Sequence, residues 1–440
     1  MKIKVDTIIN PKWIIPIKPK NKVLENLSIA INNSNILDID DTNIIINKYE
    51  SKDTYNLNHH CIMPGFINNH THLSMSLLKG IADDLNLDEW LKTKIWPLET
   101  KYVDKEFVDL GSKLAIIELI KSGTTCFNDM YFFPEVTAYA SLELGIRASL
   151  GLITIDFPSN YAENSEDYLE KGLRIRDTLK NETLVSFTMA PHAPYTVGDE
   201  TLKKIFTLSN ELDLPVHMHI HETENEIKES MEKFNQRPIE RLLNLGLINP
   251  NFIGIHAVHL NSDDISTLSK NKANLVSCPV SNLKLGSGVP FATLENSKKI
   301  NLSFGTDGSA SNNKLDILSE ARMGSLLLKG ISKDATKFNS YNALESLTIN
   351  PAKSLGMENK IGSVEKDKAA DLIAINFNEI NSLPIFNPVS HIVNAIDREN
   401  ITHSWVNGKC IMEDRNVLTI DEDLINQKVQ RFVKKFQENG

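Results

Sequence analysis

Cysteine is scarce in this chain, and its four residues lie far apart. None of them belongs to a C-x-x-C pair, so a cysteine-rich zinc knuckle is excluded. Isolated cysteines are typical of proteins that keep their thiols reduced, which predicts a cytoplasmic protein. The cysteines are Cys61, Cys126, Cys278 and Cys410.

Long apolar runs and an excess of positive charge are also missing. No run approaches the ~18 apolar residues of a membrane-spanning helix, and the short apolar patch at residues 13–15 is not a signal-peptide core. The 57 acidic and 47 basic residues give a net charge of −10. This balance argues against a broad phosphate-binding surface, so we expect neither a nucleic acid nor a membrane as a partner.

The length and composition are those of an ordinary globular chain. Its 440 residues are 41% hydrophobic and 24% charged, which excludes wholesale disorder. The chain is too long for one domain of the commonest size. Its length therefore predicts either two or three units or one large barrel with an appendage.

Strand-like and helix-like segments alternate from Pro64 onward. Eight strands that alternate with helices over about 240 residues predict an α/β fold, a (β/α)8 TIM-like barrel. A doubly wound sheet is the alternative, but no G-x-G-x-x-G motif follows the first strand. The predicted strands are 66–70, 124–129, 146–153, 184–190, 214–221, 252–256, 274–278 and 302–306.

Both ends of the chain consist of short β-like segments. They are residues 2–8, 13–17, 27–31 and 36–39 at one end and residues 370–376, 391–395 and 403–406 at the other. The simplest assembly joins residues 1–63 and 362–440 in one small β-sandwich domain beside a catalytic barrel of residues 64–361. A terminal helix is predicted over residues 422–438.

Histidine is the informative residue type, because eight of the twelve histidines lie between residues 70 and 259. A single histidine is more typical of a buried, hydrogen-bonded side chain than of a metal ligand, but several of these lie at predicted strand ends. His70 and His72 end strand one, and His217, His219 and His221 alternate along strand five. Residues two apart on a strand point to the same side. Each set therefore faces one point at the barrel mouth, where barrel enzymes have their active sites.

Three further reactive side chains lie at predicted strand ends. Glu222 follows strand five, His256 ends strand six, and Asp307 follows strand eight. An aspartate at this position is typical of either a turn or a metal ligand. Two histidines of strand one, one of strand five and this aspartate would offer three nitrogens and one oxygen, with a position left for water. That donor set predicts a catalytic metal centre.

Several motifs resemble those of the amidohydrolase superfamily. They are P-G-F-I-N-N-H-T-H at 64–72, H-x-x-E at 219–222, the histidine at 256 and S-F-G-T-D-G-S-A-S-N-N at 303–313. Three more are similar to motifs of 5-methylthioadenosine/S-adenosylhomocysteine deaminases, in the group that includes triazine hydrolases. They are A-D-D-L…W-L…W-P-L-E at 82–99, A-P-H-A-P-Y-T-V at 190–197 and S-N-L-K-L-G-S-G at 281–288. The resemblance covers nearly the whole chain.

The resemblance implies a role for each residue of the site. One divalent metal ion, usually zinc, is bound, Glu222 moves protons, and His256 orients the attacking water. His217, His221 and His259 receive no role. The implied metal ligands are His70, His72, His219 and Asp307, the catalytic residues are Glu222, His256 and Asp307, and the substrate contacts are Glu99, His192, Glu222 and Asp307.

One metal ion per subunit is the better prediction. Two-metal members of the superfamily bridge their ions with a modified lysine at the end of strand four, whereas residues 184–195 contain no lysine. Three nitrogens and one oxygen suit iron or manganese as well as zinc, so the identity of the ion stays open. A barrel with exposed helices also leads us to expect a homodimer.

The implied reaction is the hydrolytic deamination of a 5′-modified adenosine to the inosine derivative and ammonia. The substrate would be 5′-methylthioadenosine, with S-adenosylhomocysteine, 5′-deoxyadenosine and adenosine as further candidates. Zinc activates water near neutral pH, and Glu222 could carry protons to and from the purine. The alternatives are a guanine or pterin deaminase, a triazine chlorohydrolase, or a scaffold protein without activity.

The stretch after strand three bears on the 5′ tail of the substrate. Family members that accept S-adenosylhomocysteine use arginines there, because the guanidinium fork binds a carboxylate through two hydrogen bonds. Residues 148–173 contain no arginine, and neither Arg147 nor Arg174 is expected to reach the site. Phe157, Pro158 and Tyr161 are predicted to line an apolar slot instead, which favours methylthioadenosine or 5′-deoxyadenosine.

Overall fold

The structure is a computed structural model that describes residues 1–439. In it, the first part of the chain forms one half of a mixed sheet. Its elements are β1 (Ile3–Ile14), β2 (Leu24–Glu25), β3 (Leu27–Asn32), β4 (Asn35–Asp41), helix α1 (Thr42–Lys48) and β5 (Tyr49–Pro64). β1 lies between β3, which is antiparallel to it, and β5, which is parallel to it. β4 pairs with the free side of β3.

Two features of this region differ from the predictions. β1 continues through Pro11, where the sequence indicated a break, because a bulge between Pro11 and Trp13 accommodates the proline. The sequence did not predict β5. Its first half is charged and largely exposed, so it lacks the alternation of apolar and polar residues that marks a half-buried strand.

The eight predicted barrel strands are all present and lie side by side in chain order. Each pairs in parallel with the next, and nearly all of their residues are buried because helices cover the outer face. They are β6 (Phe66–His72), β7 (Thr124–Asp129), β8 (Arg147–Thr154), β9 (Val185–Pro191), β10 (Val216–Ile220), β11 (Phe252–His256), β12 (Asn274–Ser277) and β13 (Asn301–Phe304).

The eighth strand continues after a bend as β14 (Asp307–Gly308), which closes the ring. β13 pairs with β12, whereas β14 pairs with the end of β6. At the bend, Gly305 passes so close to β6 that an added Cβ would lie 2.6 Å from the Cβ of His70. The predicted barrel is therefore confirmed, and its closure places the end of strand eight beside the end of strand one.

Helices follow the barrel strands. Residues 87–102 form a bent helical stretch at the barrel mouth, the lid segment, which consists of α2 (Leu87–Trp90), a π-helical turn (Leu91–Ile95) and α3 (Trp96–Tyr102). Short 3-10 helices lie at Leu73–Leu78, Ile380–Ser382 and Arg398–Asn400. The next helices are α4 (Lys105–Lys121), α5 (Pro134–Leu144), α6 (Ser165–Leu179), α7 (Asp199–Leu212), α8 (Glu224–Phe234), α9 (Pro238–Asn244), α10 (Ser262–Lys270), α11 (Pro279–Lys284), α12 (Phe291–Glu295), α13 (Ser309–Asn312), α14 (Ile317–Ser332), α15 (Ser340–Leu347) and α16 (Ile349–Ser354).

The C-terminal part of the chain completes the first sheet. Its strands are β15 (Leu372–Asn376), β16 (Ile401–Val406), β17 (Lys409–Glu413) and β18 (Asn416–Val417). β15 pairs with β5, so this sheet is built from both chain ends as predicted, and its strands form one continuous hydrogen-bonded array. The predicted domain boundaries at 63/64 and 361/362 stay predictions.

The strand predicted at residues 391–395 was wrong, because these residues belong to helix α17 (Pro388–Asn394) and its C-terminal cap. The side chain of Asn387 accepts a hydrogen bond from the backbone N–H of Ser390, and Pro388 occupies the first helical position. Both are strong helix-start signals. They outweigh the β-branched residues Ile392 and Val393.

The last helix, α18 (Glu422–Asn439), packs beside the lid segment. The ring of Phe436 lies 4.9 Å from that of Tyr102, the last residue of the lid segment. The ring of Phe432 lies 5.7 Å from that of Phe107 in α4. An ion pair of 2.6 Å between Lys121 and Glu422 anchors the start of the helix.

A buried ion pair joins the barrel to the sheet of the chain ends. Arg147, at the start of β8, donates from Nε and Nη2 to the two carboxylate oxygens of Asp371 at 2.8 and 3.0 Å. Arg147 is therefore held at the end of its strand away from the barrel mouth, as predicted. Within residues 1–439, no helix has both the length and the apolar character required to cross a membrane.

Candidate metal centre and active site

Three imidazoles converge at the mouth of the barrel. His70 and His72 come from the end of β6, and His219 comes from β10. One ring nitrogen from each lies within 4.8 Å of the others, and the Nε2 atoms of His70 and His219 are 3.2 Å apart. The structure thus brings together the three histidines that the sequence singled out as metal ligands.

Asp307 completes this cluster. Its Oδ1 lies 3.4 Å from Nε2 of His70 and 3.2 Å from Nε2 of His72. Its Oδ2 accepts hydrogen bonds from the hydroxyls of Ser281 and Ser311 at 2.6 and 2.7 Å. Burial alone would raise the pKa of Asp307, but the neighbouring imidazoles of His70 and His72 hold this pKa well below its usual value. The aspartate is therefore an anion beside Nε2 of His70 and Nε2 of His72.

The ring nitrogens that point away from the centre are also bound. Nδ1 of His219 donates to the carbonyl of His192 at 2.8 Å, and Nδ1 of His72 donates to the carbonyl of Met130. Because a carbonyl can only accept, both Nδ1 atoms carry the proton and both Nε2 atoms present a lone pair to the centre. With Nε2 of His70 and Oδ1 of Asp307, these nitrogens would give a divalent metal four protein ligands, and a fifth position would be left for water.

Glu222 and His256 flank the metal-binding cluster. Oε2 of Glu222 lies 3.6 Å from Nε2 of His256, and Oε1 of Glu222 accepts from the hydroxyl of Ser287 at 3.3 Å. Nδ1 of His256 lies 3.0 Å from the amide nitrogen of Asn282. Burial raises the pKa of Glu222 well above its usual value, which Asp307 reinforces by charge repulsion. Glu222 is therefore suited to hold a proton near neutral pH.

Glu226 is a residue of this site that the sequence reasoning missed. Its carboxylate accepts hydrogen bonds from the backbone N–H groups of His221 and Glu222 at 2.8 and 2.9 Å. The side chain of Thr223 caps α8 by accepting from the N–H of Glu226 at 3.3 Å. Glu226 thus fixes the backbone from which Glu222 projects. The spacing T-x-x-E, typical of a helix start, was the signal available in the sequence.

Above the cluster lies a cavity that is lined by all four predicted substrate contacts, Glu99, His192, Glu222 and Asp307. Glu99 enters it from the lid segment and accepts a hydrogen bond from the hydroxyl of Tyr131 at 2.9 Å. Burial raises the pKa of Glu99 to about 7, although the bond from Tyr131 opposes this shift. Nδ1 of His192 lies 3.1 Å from the hydroxyl of Thr196, and burial lowers the pKa of His192 to about 3.

The rest of the cavity wall is mostly apolar. Phe157 and Pro158 line it as predicted, and the ring of Phe157 lies 6.3 Å from that of Trp96 in the lid segment. Tyr161 was wrongly expected there. It is buried, and its ring packs 5.2 Å from that of Phe133. Among the described residues, none that lines the cavity is arginine or lysine.

His221 and His259 support the framework around the site. Nε2 of His221 accepts from the backbone N–H of Ile239 at 3.2 Å. Nε2 of His259 donates to the carbonyl of Ser287 at 2.7 Å. Neither ring lines the cavity. Arg174 is also remote from it, because it pairs with Glu170 at 2.6 Å on the exposed face of α6.

Comparison with known proteins identifies a family and several relatives. The model of the amidohydrolase family matches residues 61–411. The chain is 42% identical to a 5-methylthioadenosine/S-adenosylhomocysteine deaminase of Saccharophagus degradans, over 99% of this chain and 98% of that protein. It is 38% identical to a 5′-deoxyadenosine deaminase of Methanobrevibacter smithii, over 86% of this chain and 87% of that protein.

A solved structure gives the same indication. An adenosine deaminase of Xanthomonas campestris with bound zinc superposes with a TM-score of 0.97, and 100% of each chain is covered. The two sequences are 35% identical. The similarity therefore extends over the barrel, the lid segment and the sheet built from both chain ends.

Proposed function

This chain belongs to the amidohydrolase family, and from that premise we propose that it is a zinc-dependent aminohydrolase of 5′-modified adenosines. The reaction replaces the 6-amino group of the purine with oxygen from water and releases ammonia. The observation that carries this proposal is the position of Glu222. This buried acid lies beside the metal-binding cluster, in a cavity that also contains Glu99 and His192.

We propose that one zinc ion per subunit is bound by His70, His72, His219 and Asp307. The three nitrogens and one carboxylate oxygen support this assignment, and the Xanthomonas campestris relative contains zinc. Bound zinc supplies Lewis-acid activation of water near neutral pH. The homodimer and the cytoplasmic location expected from the sequence stay predictions.

The side chains around the cluster divide the proton transfers between them. Asp307 accepts a proton from the attacking water. Two serine hydroxyls donate to its second oxygen and hold the carboxylate in place for this transfer. Glu222 donates its proton to N1 of the purine as water attacks C6, and then takes up the proton of the new C6 hydroxyl and passes it to the departing amino group. The proton held by Asp307 returns to Glu222 and restores both residues. His256, whose Nε2 lies 3.6 Å from Oε2 of Glu222, orients the attacking water from the same side of the cluster.

Ammonia release from a substrate panel, with chloride release measured for the chlorotriazine, tests the proposal. The panel contains 5′-methylthioadenosine, 5′-deoxyadenosine, S-adenosylhomocysteine and adenosine, with guanine, a pterin and a chlorotriazine as competing substrates. We expect turnover of the adenosines alone. Faster turnover of guanine, the pterin or the triazine would contradict the proposal.

The 5′ tail of the substrate is expected to decide the rate within this panel. The cavity wall near Phe157 and Pro158 is apolar, and no described residue of the cavity offers a positive charge to a carboxylate. A charge-assisted contact contributes about 1.5–3 kcal/mol, or roughly 10- to 150-fold in affinity. We therefore expect 5′-methylthioadenosine or 5′-deoxyadenosine to exceed S-adenosylhomocysteine by at least about tenfold in kcat/KM.

The control for this prediction is S-adenosylhomocysteine with its carboxylate esterified, which keeps the size of the tail but removes the negative charge. The ester should recover part of the lost kcat/KM if burial of an unpaired carboxylate is the cause. Equal kcat/KM for methylthioadenosine and S-adenosylhomocysteine would show that a positive charge reaches the tail after all.

Glu99 is expected to make KM depend on pH. Its pKa, raised by burial to about 7, leaves the carboxyl protonated at lower pH and ionised at higher pH. An ionised carboxylate accepts a hydrogen bond from a ribose hydroxyl about 1 kcal/mol more strongly than a neutral acid does. KM for 5′-methylthioadenosine should therefore rise about three- to fourfold between about pH 8 and about pH 6.

Steady-state kinetics of wild type and Glu99→Gln across this pH range provide the measurement. The glutamine cannot ionise, so its KM should be independent of pH. An identical rise of KM in both proteins would assign the titration to another group.

A further inference from the structure

His217 lies directly behind the metal-binding cluster and has no role in the reaction described so far. It belongs to β10, two residues before His219, and both His217 and His70 are fully buried. Nε2 of His217 is 3.1 Å from Nδ1 of His70. The two rings meet nearly edge to face, with centroids 5.1 Å apart and planes at 75°.

The contact matters because of the proton on His70. A neutral imidazole carries one proton, and only the unprotonated nitrogen can bind a metal. Nε2 of His70 faces the cluster, 3.4 Å from Asp307 and 3.2 Å from Nε2 of His219. The proton of His70 must therefore be on Nδ1, where it requires an acceptor. The structure offers Nε2 of His217 as that acceptor.

His70 differs in this respect from the other two histidines of the cluster. His72 and His219 donate to backbone carbonyls, which cannot act as donors, so their tautomers are fixed by the fold. The partner of His70 is a histidine, which can donate or accept at Nε2 depending on its own tautomer. If Nε2 of His217 carried the proton, His70 would have to accept it at Nδ1 and would lose its lone pair at Nε2.

We propose that His217 is a positioning residue that holds His70 in its metal-binding tautomer. The inference rests on the proposed metal site but not on the identity of the substrate. His217 accepts at Nε2 and carries its own proton on Nδ1, an atom that is buried and has no hydrogen-bond partner among the described residues. Groups that orient metal ligands in this way typically contribute about 10- to 100-fold to metal affinity.

Zinc affinity of the metal-free protein is the test. Metal is removed with a chelator, and Zn²⁺ is titrated back in competition with a chromophoric chelator, without any substrate. His217→Leu removes the acceptor, so the dissociation constant for Zn²⁺ should rise about 10- to 100-fold. His217→Gln can place an amide oxygen near the same position and should recover much of the affinity.

His221→Leu is the matched control. His221 follows the end of β10 and is as fully buried as His217, but its Nε2 accepts from Ile239 rather than from a residue of the cluster. The variant should lose stability and yet keep its Zn²⁺ dissociation constant within about threefold of wild type. Thermal unfolding of each metal-free protein, followed by circular dichroism, identifies any variant whose weaker binding comes from unfolding.

The outcomes separate this inference from the proposed function. Wild-type affinity in a folded His217→Leu protein would overturn the inference, as would an equal loss of affinity in folded His217→Leu and His221→Leu. If His217→Leu fails to fold, the test is a comparison of the Zn²⁺ affinities of His217→Gln and His217→Asn. The asparagine is too short to reach His70, so equal affinity of these two variants would contradict the role. Failure of the wild type to deaminate any adenosine would contradict the proposed function and leave the affinity result intact.

Discussion

Glu222→Gln is expected to retain its zinc and to lose at least about 100-fold in kcat/KM for 5′-methylthioadenosine, because general acid–base steps contribute at least that factor. Glutamine has the shape of glutamate, and its amide oxygen can still accept from the hydroxyl of Ser287. It cannot release or take up a proton. The purine would then receive no proton at N1, and the amino group would leave unprotonated.

Steady-state kinetics and zinc analysis of the same preparation provide the measurement. Glu224→Gln is the matched control, because it makes the same substitution two residues away on an exposed side chain. That variant should keep its kcat/KM within about twofold of wild type. If Glu222→Gln retained more than about a tenth of wild-type kcat/KM, the proposed proton carrier would have to be another residue.

Asp307→Ala is expected to abolish both zinc binding and turnover. The aspartate is the carboxylate that faces Nε2 of His70 and His72, at 3.4 and 3.2 Å. Its loss leaves three neutral nitrogens for a divalent cation and removes the acceptor of the water's proton. The hydroxyls of Ser281 and Ser311 also lose their shared partner.

Zinc content after gel filtration and the rate of ammonia release are the two readouts. Asp83→Ala is a suitable control, because Asp83 is partly exposed and pairs with Lys284 at 2.7 Å without lining the cavity. This control should bind zinc and turn over like the wild type. An Asp307→Ala protein with a full complement of zinc would show that the aspartate is not a ligand.

The barrel could be predicted from the sequence because its strands have a local signature. β8 and β10 are buried along their whole lengths and combine apolar with a few polar residues, and burial of both faces is typical of parallel strands covered by helices. The sequence of β5 has no comparable signature, because this segment is held as a strand by its pairing with β1. At α17, two residues that start a helix outweighed a β-like composition. The hydrogen bond of the helix cap decides the structure there, and amino-acid composition alone does not reveal such a bond.

The residues of the site also differ in whether the sequence could predict their positions. The metal-binding cluster could be predicted because its members lie at the ends of barrel strands one, five and eight, which all point to the barrel mouth. The contact between His70 and His217 joins residues 147 positions apart, and no spacing in the sequence indicates it. Tyr161 was placed in the cavity because it is aromatic and near Phe157, but its direction depends on the packing of Phe133.

The contact between α18 and the lid segment has a consequence for the order in which the enzyme is built. A ribosome releases the N-terminal part of a chain first, so the residues of β6–β14, with all four proposed zinc ligands, emerge more than a hundred positions before Phe432 and Phe436. The aromatic support of Tyr102, three residues after Glu99, arrives with the last helix. The nascent enzyme therefore contains its complete set of proposed zinc ligands before α18 can pack against the lid segment and stabilise that side of the cavity.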